Sequence, residues 1–218
     1  MGGDSKNNIL FKTLIVIILF FTYTFIFNAL FTILHIDNPS LTMFISDFIF
    51  LIGIIYAYKN TLKKDIQTFK IKEKAVTIFI GFIIVLLFSF LINGVLNLIY
   101  PEKLSDSNFS ILSSLNPLYV VFKVLIFSTI AEELVFHKAI GQTIDNKVAF
   151  IFISTFIYTI ANIIYWDLTL VSSWLNAINY FVIYLILSVI YVKCHNNIVP
   201  VMIIKLLYNL FPLIILLS

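Results

Sequence analysis

Long apolar runs separated by short polar stretches set the rhythm of this chain. A helix that crosses a membrane needs about 20 mostly apolar residues. Seven runs fit: 9–34, 41–58, 75–100, 118–140, 148–165, 170–192 and 198–217. The pattern predicts an all-α, polytopic transmembrane helix bundle. The first run is too long for the apolar core of a secretory signal, and no small-residue cleavage site follows it before His35-Ile-Asp-Asn-Pro39. The polar stretches leave no room for a second, soluble domain, and no repeat or low-complexity linker is visible. The expected division is a three-span region over 1–117, with a Lys-rich loop at 59–74, and a four-span core over 118–218.

Composition agrees with the pattern. The chain is 61% hydrophobic and 11% charged, with mean hydropathy +1.06; a soluble domain averages about 25% charged residues. All 14 basic residues are Lys. With the heavy use of Ile, Phe and Asn, this points to an AT-rich, bacterial coding genome. Alternating spans from a cytoplasmic N-terminus places Lys6, Lys12, the six Lys of 59–74, Lys138, Lys147 and Lys193 inside, and only Lys103 outside. That is the positive-inside pattern of a multi-pass cell-membrane protein, and it sends the C-terminus outside. A single Cys, Cys194, excludes an internal disulfide. The basic stretch lacks the interleaved aromatics of a strand-binding groove, so nucleic acid is not an expected partner.

Ionisable groups inside spans are costly and mark sites by default. Glu132 and Glu133 interrupt the fourth run. Glu133 and His137 lie four apart on one helix face, while Glu132 points about 100° away. Tyr158 and Asn162 on the fifth run, and Lys205 and Asn209 on the seventh, repeat that spacing. Tyr158 and Tyr208 are candidate binding residues. Asp47 and Lys123 share a depth near the outer side and are expected to form a structural ion pair, against separate snorkelling to the interface. The sixth-run stripe of Ser172, Ser173, Asn176 and Asn179 reads as interhelical packing. His35 and His195 fall in short loops and read as solvated. No cofactor is expected. A metal is not expected either, since there is no His-Glu-x-x-His pattern and no clear further ligand beside the carboxylates.

Ala131-Glu-Glu-Leu-Val-Phe-His137 resembles the first motif of the CPBP (Abi) family, which includes type II CAAX prenyl endopeptidases and bacteriocin-processing or immunity proteins. That motif is two Glu, three residues, then Arg, with Phe before the Arg; Phe136 matches and His137 replaces the Arg. Ser154, Tyr158 and Asn162 follow the second motif, with Asn162 in place of His. Pro200, Lys205 and Asn209 follow the third, with Lys205 in place of His. The resemblance covers about 118–209 in the expected order. It implies proteolysis within the membrane. Glu132 would be the base that activates water, Glu133 would be held by residue 137, residue 162 would position the water, and residues 205 and 209 would stabilise the oxyanion. A base must reach its water and donors must face the developing charge.

The substitutions alter that chemistry. His137 lacks the forked donor set of Arg. Asn162 binds a water but cannot take and release its proton. Lys205 can serve an oxyanion, yet beside Glu132 it would weaken that base and lock the site as an ion pair. All three substitutes remain polar, which favours altered chemistry or binding over free decay. At 1.5 Å per residue, Lys205 lies about 10 Å from the inner end of its run and Asn162 about 20 Å from its own. Their convergence requires tilt, a longer fourth helix or later boundaries.

Three functions follow. One is an altered intramembrane endopeptidase acting on a peptide or lipid-anchored segment. The second is a non-catalytic immunity factor, scaffold or regulator of another membrane protein. The third is a small transporter, which lacks the broken spans and repeated halves usual there. The substitutions tip the reading toward lapsed or altered catalysis, with membrane lipids as the surrounding partner.

Overall fold

The computed structural model describes residues 3–99, 114–163 and 171–217. Lys103 and the side chain of Ser172 lie outside the described residues. Among the described residues seven helices follow one another: α1 (Gly3–Ile33), α2 (Pro39–Thr68), α3 (Ile71–Ile99), α4, α5 (Lys147–Ile163), α6 (Val171–Lys193) and α7 (Val199–Leu217). Helix α4 opens with α-helical Pro117–Val121 and continues as π-helical Phe122–Glu132 and Leu134–Ala139, joined through Glu133 in helical conformation. The described residues are all helix, turn or short connection, and the chain is an all-α helical membrane bundle.

Among the described residues four helices are long and apolar enough to cross a membrane on those grounds alone, over Lys6–Ile33, Pro39–Thr68, Ile71–Leu96 and Asn176–Lys193. Helices α5 and α7 are shorter apolar helices. The 17 residues of α5 correspond to about 26 Å, a little under the ~30 Å hydrocarbon core.

Asparagine starts several of these helices. Asn38 and Asn116 each precede a Pro at the first helical turn, and their side chains accept the N–H of Leu41 and Leu118. Asn146 accepts the N–H of Val148 and Ala149, and Asn197 that of Val199. An Asn cap satisfies a donor that the helix cannot, and Pro at the first position lacks the donor altogether.

The stretch 59–74 is not the loop expected from its lysines. Helix α2 runs through it to Thr68, and α3 begins at Ile71. The reason is local: Lys59-Asn-Thr-Leu-Lys-Lys-Asp-Ile-Gln-Thr68 contains neither Gly nor Pro, and Lys, Leu and Gln propagate a helix at little cost. Leu62 packs against the core and Asp65 is buried, so the extension has an inner face of its own.

Helix α4 is the axis of the bundle, with α1, α2, α5 and α7 packed directly on it. Its residues Phe127, Ala131, Leu134, Val135, Phe136 and Ala139 are fully buried. Three of its carbonyls accept side-chain donors from neighbours: Val124 O from Asn209, Phe136 O from Ser154, and Ala139 O from Thr13. Side chains that engage a helix's carbonyls loosen its regular ladder, and π-turns collect at functional positions. On the outside, large apolar side chains such as Phe25, Phe79, Phe90, Phe152 and Phe156 are exposed, as a lipid-facing surface requires.

Candidate functional site

The two carboxylates of α4 meet the lysine of α7. Lys205 Nζ lies 2.9 Å from Glu132 Oε2 and 2.8 Å from Glu133 Oε1. Glu133 is fully buried, and its second oxygen, Oε2, pairs with His137 Nδ1. The other ring nitrogen of His137 meets Ser188 Oγ at 3.0 Å, and Ser188 is 3.4 Å from Thr155 Oγ1. The imidazole is held between rings: Tyr184 stacks on it at 4.4 Å, with Tyr191 at 5.3 Å. Glu133, His137 and Lys205 are thus fixed from α4, α6 and α7 at once. Burying such charges is tolerable only because each is paired and hydrogen-bonded.

Glu132 differs. Its side chain is 13% exposed where that of Glu133 is 0%. It faces a cavity of about 910 Å³ that also touches Tyr158, Asn162, Lys205, Tyr208 and Asn209. Lys205 Nζ is 4.9 Å from the ring centre of Tyr158, a cation–π distance, and Tyr158 stacks on Tyr184 at 3.6 Å.

The remaining sequence candidates line the same cavity but are bound elsewhere. Asn162 donates to its own helix, Nδ2 to Tyr158 O at 2.9 Å. Asn209 donates to Val124 O at 2.9 Å and to Ser128 Oγ at 3.2 Å. Tyr208 OH lies 3.0 Å from Ser89 Oγ on α3. Two residues of the sixth-run stripe, Asn176 and Asn179, also line the cavity; Asn179 Nδ2 reaches Asn93 Oδ1 at 3.4 Å. His35 and His195 are exposed and in left-handed backbone conformation, at φ 53° and 56°.

The depth mismatch between Lys205 and Asn162 has a physical resolution. The turn before α7 is sunk into the bundle, with Cys194, Ile198 and Pro200 buried. Lys205, six residues into α7, reaches the Tyr158 ring at 4.9 Å.

Near the start of α4, Lys123 Nζ lies 2.9 Å from Asp47 Oδ2. Tyr23 OH donates to Asp47 Oδ1 at 2.6 Å and Tyr119 OH to Oδ2 at 2.9 Å. Lys123 also sits 4.0 Å from the ring centre of Phe127. Sequence reasoning missed a further pair. Lys138 Nζ binds Asp65 Oδ2 and donates to Asn196 O at 2.9 Å, while Asp65 Oδ2 also accepts the N–H of Ile198 at 3.1 Å. The only available signal was Asp65, an acid among lysines. Among the described residues no group of three or more His, Cys, Asp or Glu side chains could hold a metal ion; the space between the two glutamates is taken by the Lys205 ammonium.

This is the constellation that the three sequence motifs trace, brought together from α4, α5 and α7. Residues 114–211 match the family model described as Type II CAAX prenyl endopeptidase Rce1-like. The match supports membership of the CPBP family over these residues. No curated protein and no solved structure matches the chain. The matched segment runs from just before α4 into α7 and so includes the helices that carry every member of the glutamate–lysine cluster.

Proposed function

We propose that this membrane protein of the CAAX-protease-like family binds a membrane-embedded segment without cleaving it, as a scaffold, immunity factor or regulator of another membrane protein. One observation carries the reading: a single ammonium, Lys205 Nζ, is within 2.9 Å of both carboxylates. A carboxylate that must take a proton from water is hindered by a permanent cation on its own oxygen. The groups that would assist it are partly committed, since Asn162 gives one amide N–H to Tyr158 O and Asn209 gives its amide nitrogen to Val124 O and Ser128 Oγ. The remaining features suit binding, with a roomy cavity in the bilayer and polar side chains along its wall.

A second reading, an altered endopeptidase, draws on the partial exposure of Glu132 to the cavity. Lys205 would then supply charge to an oxyanion. Purified protein in liposomes, challenged with a fluorescence-quenched peptide library, separates the two. We expect no cleavage that depends on Glu132. Cleavage by the natural chain that is lost in Glu132→Gln would overturn the binding reading. Cleavage that appears only in the double variant Asn162→His, Lys205→His would mark the natural chain as a lapsed enzyme.

A further inference from the structure

The hydrogen bonds around the cavity have a direction. Asn162 Nδ2 and Asn209 Nδ2 each donate to a backbone carbonyl. A carbonyl only accepts, so the orientation of both amides is determined by chemistry. Their Oδ1 atoms are left as acceptors, with no protein donor among the described residues. Glu132 has one oxygen on Lys205, and its other has no partner among the described residues. Each lies within about one helical turn of the cluster: Asn162 follows Tyr158 by four residues, Asn209 follows Lys205 by four, and a turn rises about 5.4 Å. This wall of the cavity therefore offers acceptors. Its charge points the same way. Two carboxylates share one ammonium, and His137 sits behind Glu133, with one ring nitrogen on Glu133 Oε2 and the other on Ser188, so it does not reach Glu132 or the cavity wall. Facing the cluster, α5 and α6 contribute the uncharged Tyr158, Asn162 and Tyr184, and α7 the uncharged Asn209 beside the charged Lys205. Among the described residues the other cation on the cavity, Lys123, is nine residues away along α4 and is committed to Asp47.

We propose that this wall receives a primary ammonium group on a membrane-inserted peptide, the side chain of a lysine within an otherwise apolar segment. An ammonium has three donors and no acceptor, which matches Glu132, Asn162 and Asn209. An aminolipid headgroup fits less well, because it carries a phosphate beside its ammonium that would face the same carboxylate. The inference rests on the cavity being a binding site, and it names what is bound.

The test uses the full chain in phosphatidylcholine liposomes and two leucine-rich helical peptides of equal length, one with a central Lys and one with Leu there. Resonance energy transfer reports association. The Lys peptide is expected to bind at least about tenfold more tightly. The preference should collapse in Glu132→Gln and Asn162→Leu, and should strengthen in Asn162→Asp, which adds a charge without changing size. Equal binding of the two peptides would remove the ligand class and leave the binding reading standing. Loss of the Lys preference when phosphatidylethanolamine replaces phosphatidylcholine would assign the wall to a lipid and overturn the proposal. Failure of the Lys peptide to bind would also overturn it, while the cleavage assay decides the broader reading independently.

Discussion

At the scale of residues, the cluster is asymmetric in what each member holds. Lys205 serves two carboxylates, Glu133 serves two cations or donors, and Glu132 serves only Lys205. Removing one member of a buried set leaves the others unpaired, and that costs about 3–5 kcal/mol where a charge is stranded. Lys205→Met should therefore be the most destabilising change here, because it strands two acids. Glu133→Gln should cost less, since Glu132 still holds the ammonium, and Glu132→Gln least of all. SDS titration of the micellar protein checks the order; Glu132→Gln as costly as Lys205→Met would refute it. The family Arg at 137 is a separate case. His137 is fully buried against Tyr184 and Tyr191, so His137→Arg overfills a closed site and should cost about 1–3 kcal/mol. The same titration reads this, and a neutral result would mean the aromatic box yields. The glutamates were legible because an acid in an apolar run has few innocent explanations. Their lysine was legible only through motif spacing. The direction of the Asn162 and Asn209 amides was not legible at all, since nothing in a sequence says which carbonyl an amide will meet.

At the scale of elements, helix existence was easier to read than helix length. Seven apolar runs became seven helices, yet α2 continued ten residues beyond the predicted 41–58 span, to Thr68. A hydropathy pattern sees where lipid ends and not where a helix ends. What holds the extension is Asp65, which joins α2 to Lys138 at the end of α4 and to Ile198 at the start of α7. Asn197 adds bonds to Asp65 O at 2.8 Å and Thr68 Oγ1 at 3.2 Å. Asp65→Ala strands Lys138 and frees the end of α2. Trypsin should then cut at Lys63, Lys64 or Lys70 far faster than in the natural chain, as seen by mass spectrometry of fragments from opened vesicles. Unchanged cutting would show that the extension is held by its own propensity. Gly141, just past α4, tests close packing in the same region. A Cβ there would sit 3.0 Å from the Tyr191 ring and 3.3 Å from Phe150. Gly141→Val should lower stability by about 1–3 kcal/mol, and Gly53→Val, where nothing lies within 4 Å, serves as the control.

At the scale of the whole molecule, the contacts sort the helix ends onto two faces, and charge then orients the molecule. Lys6 at the start of α1 pairs with Asp145 between α4 and α5 at 2.7 Å. The Asp65–Lys138 pair gathers the ends of α2 and α4 with the turn between α6 and α7. One face therefore carries Lys6, Lys12, Lys59, Lys63, Lys64, Lys70, Lys72, Lys74, Lys138, Lys147 and Lys193. At the opposite end, the described turn before α2 carries the exposed Asp37 and no lysine. By the bias that retains Lys on the cytoplasmic side, we expect the lysine face inside. Cysteine labelling is suited to this chain because its one thiol is quiet: Cys194 is 2% exposed and burial raises its pKa, so little thiolate is present near neutral pH. Asp37 and Gln67 are exposed at opposite ends of α2 and its preceding turn. In right-side-out vesicles, a membrane-impermeant maleimide should label Asp37→Cys directly and Gln67→Cys only after the vesicles are opened. The reverse pattern would invert the molecule and place the cavity beside Glu132 nearer the cytoplasmic leaflet, so that any lysine-bearing segment would have to approach it from that side.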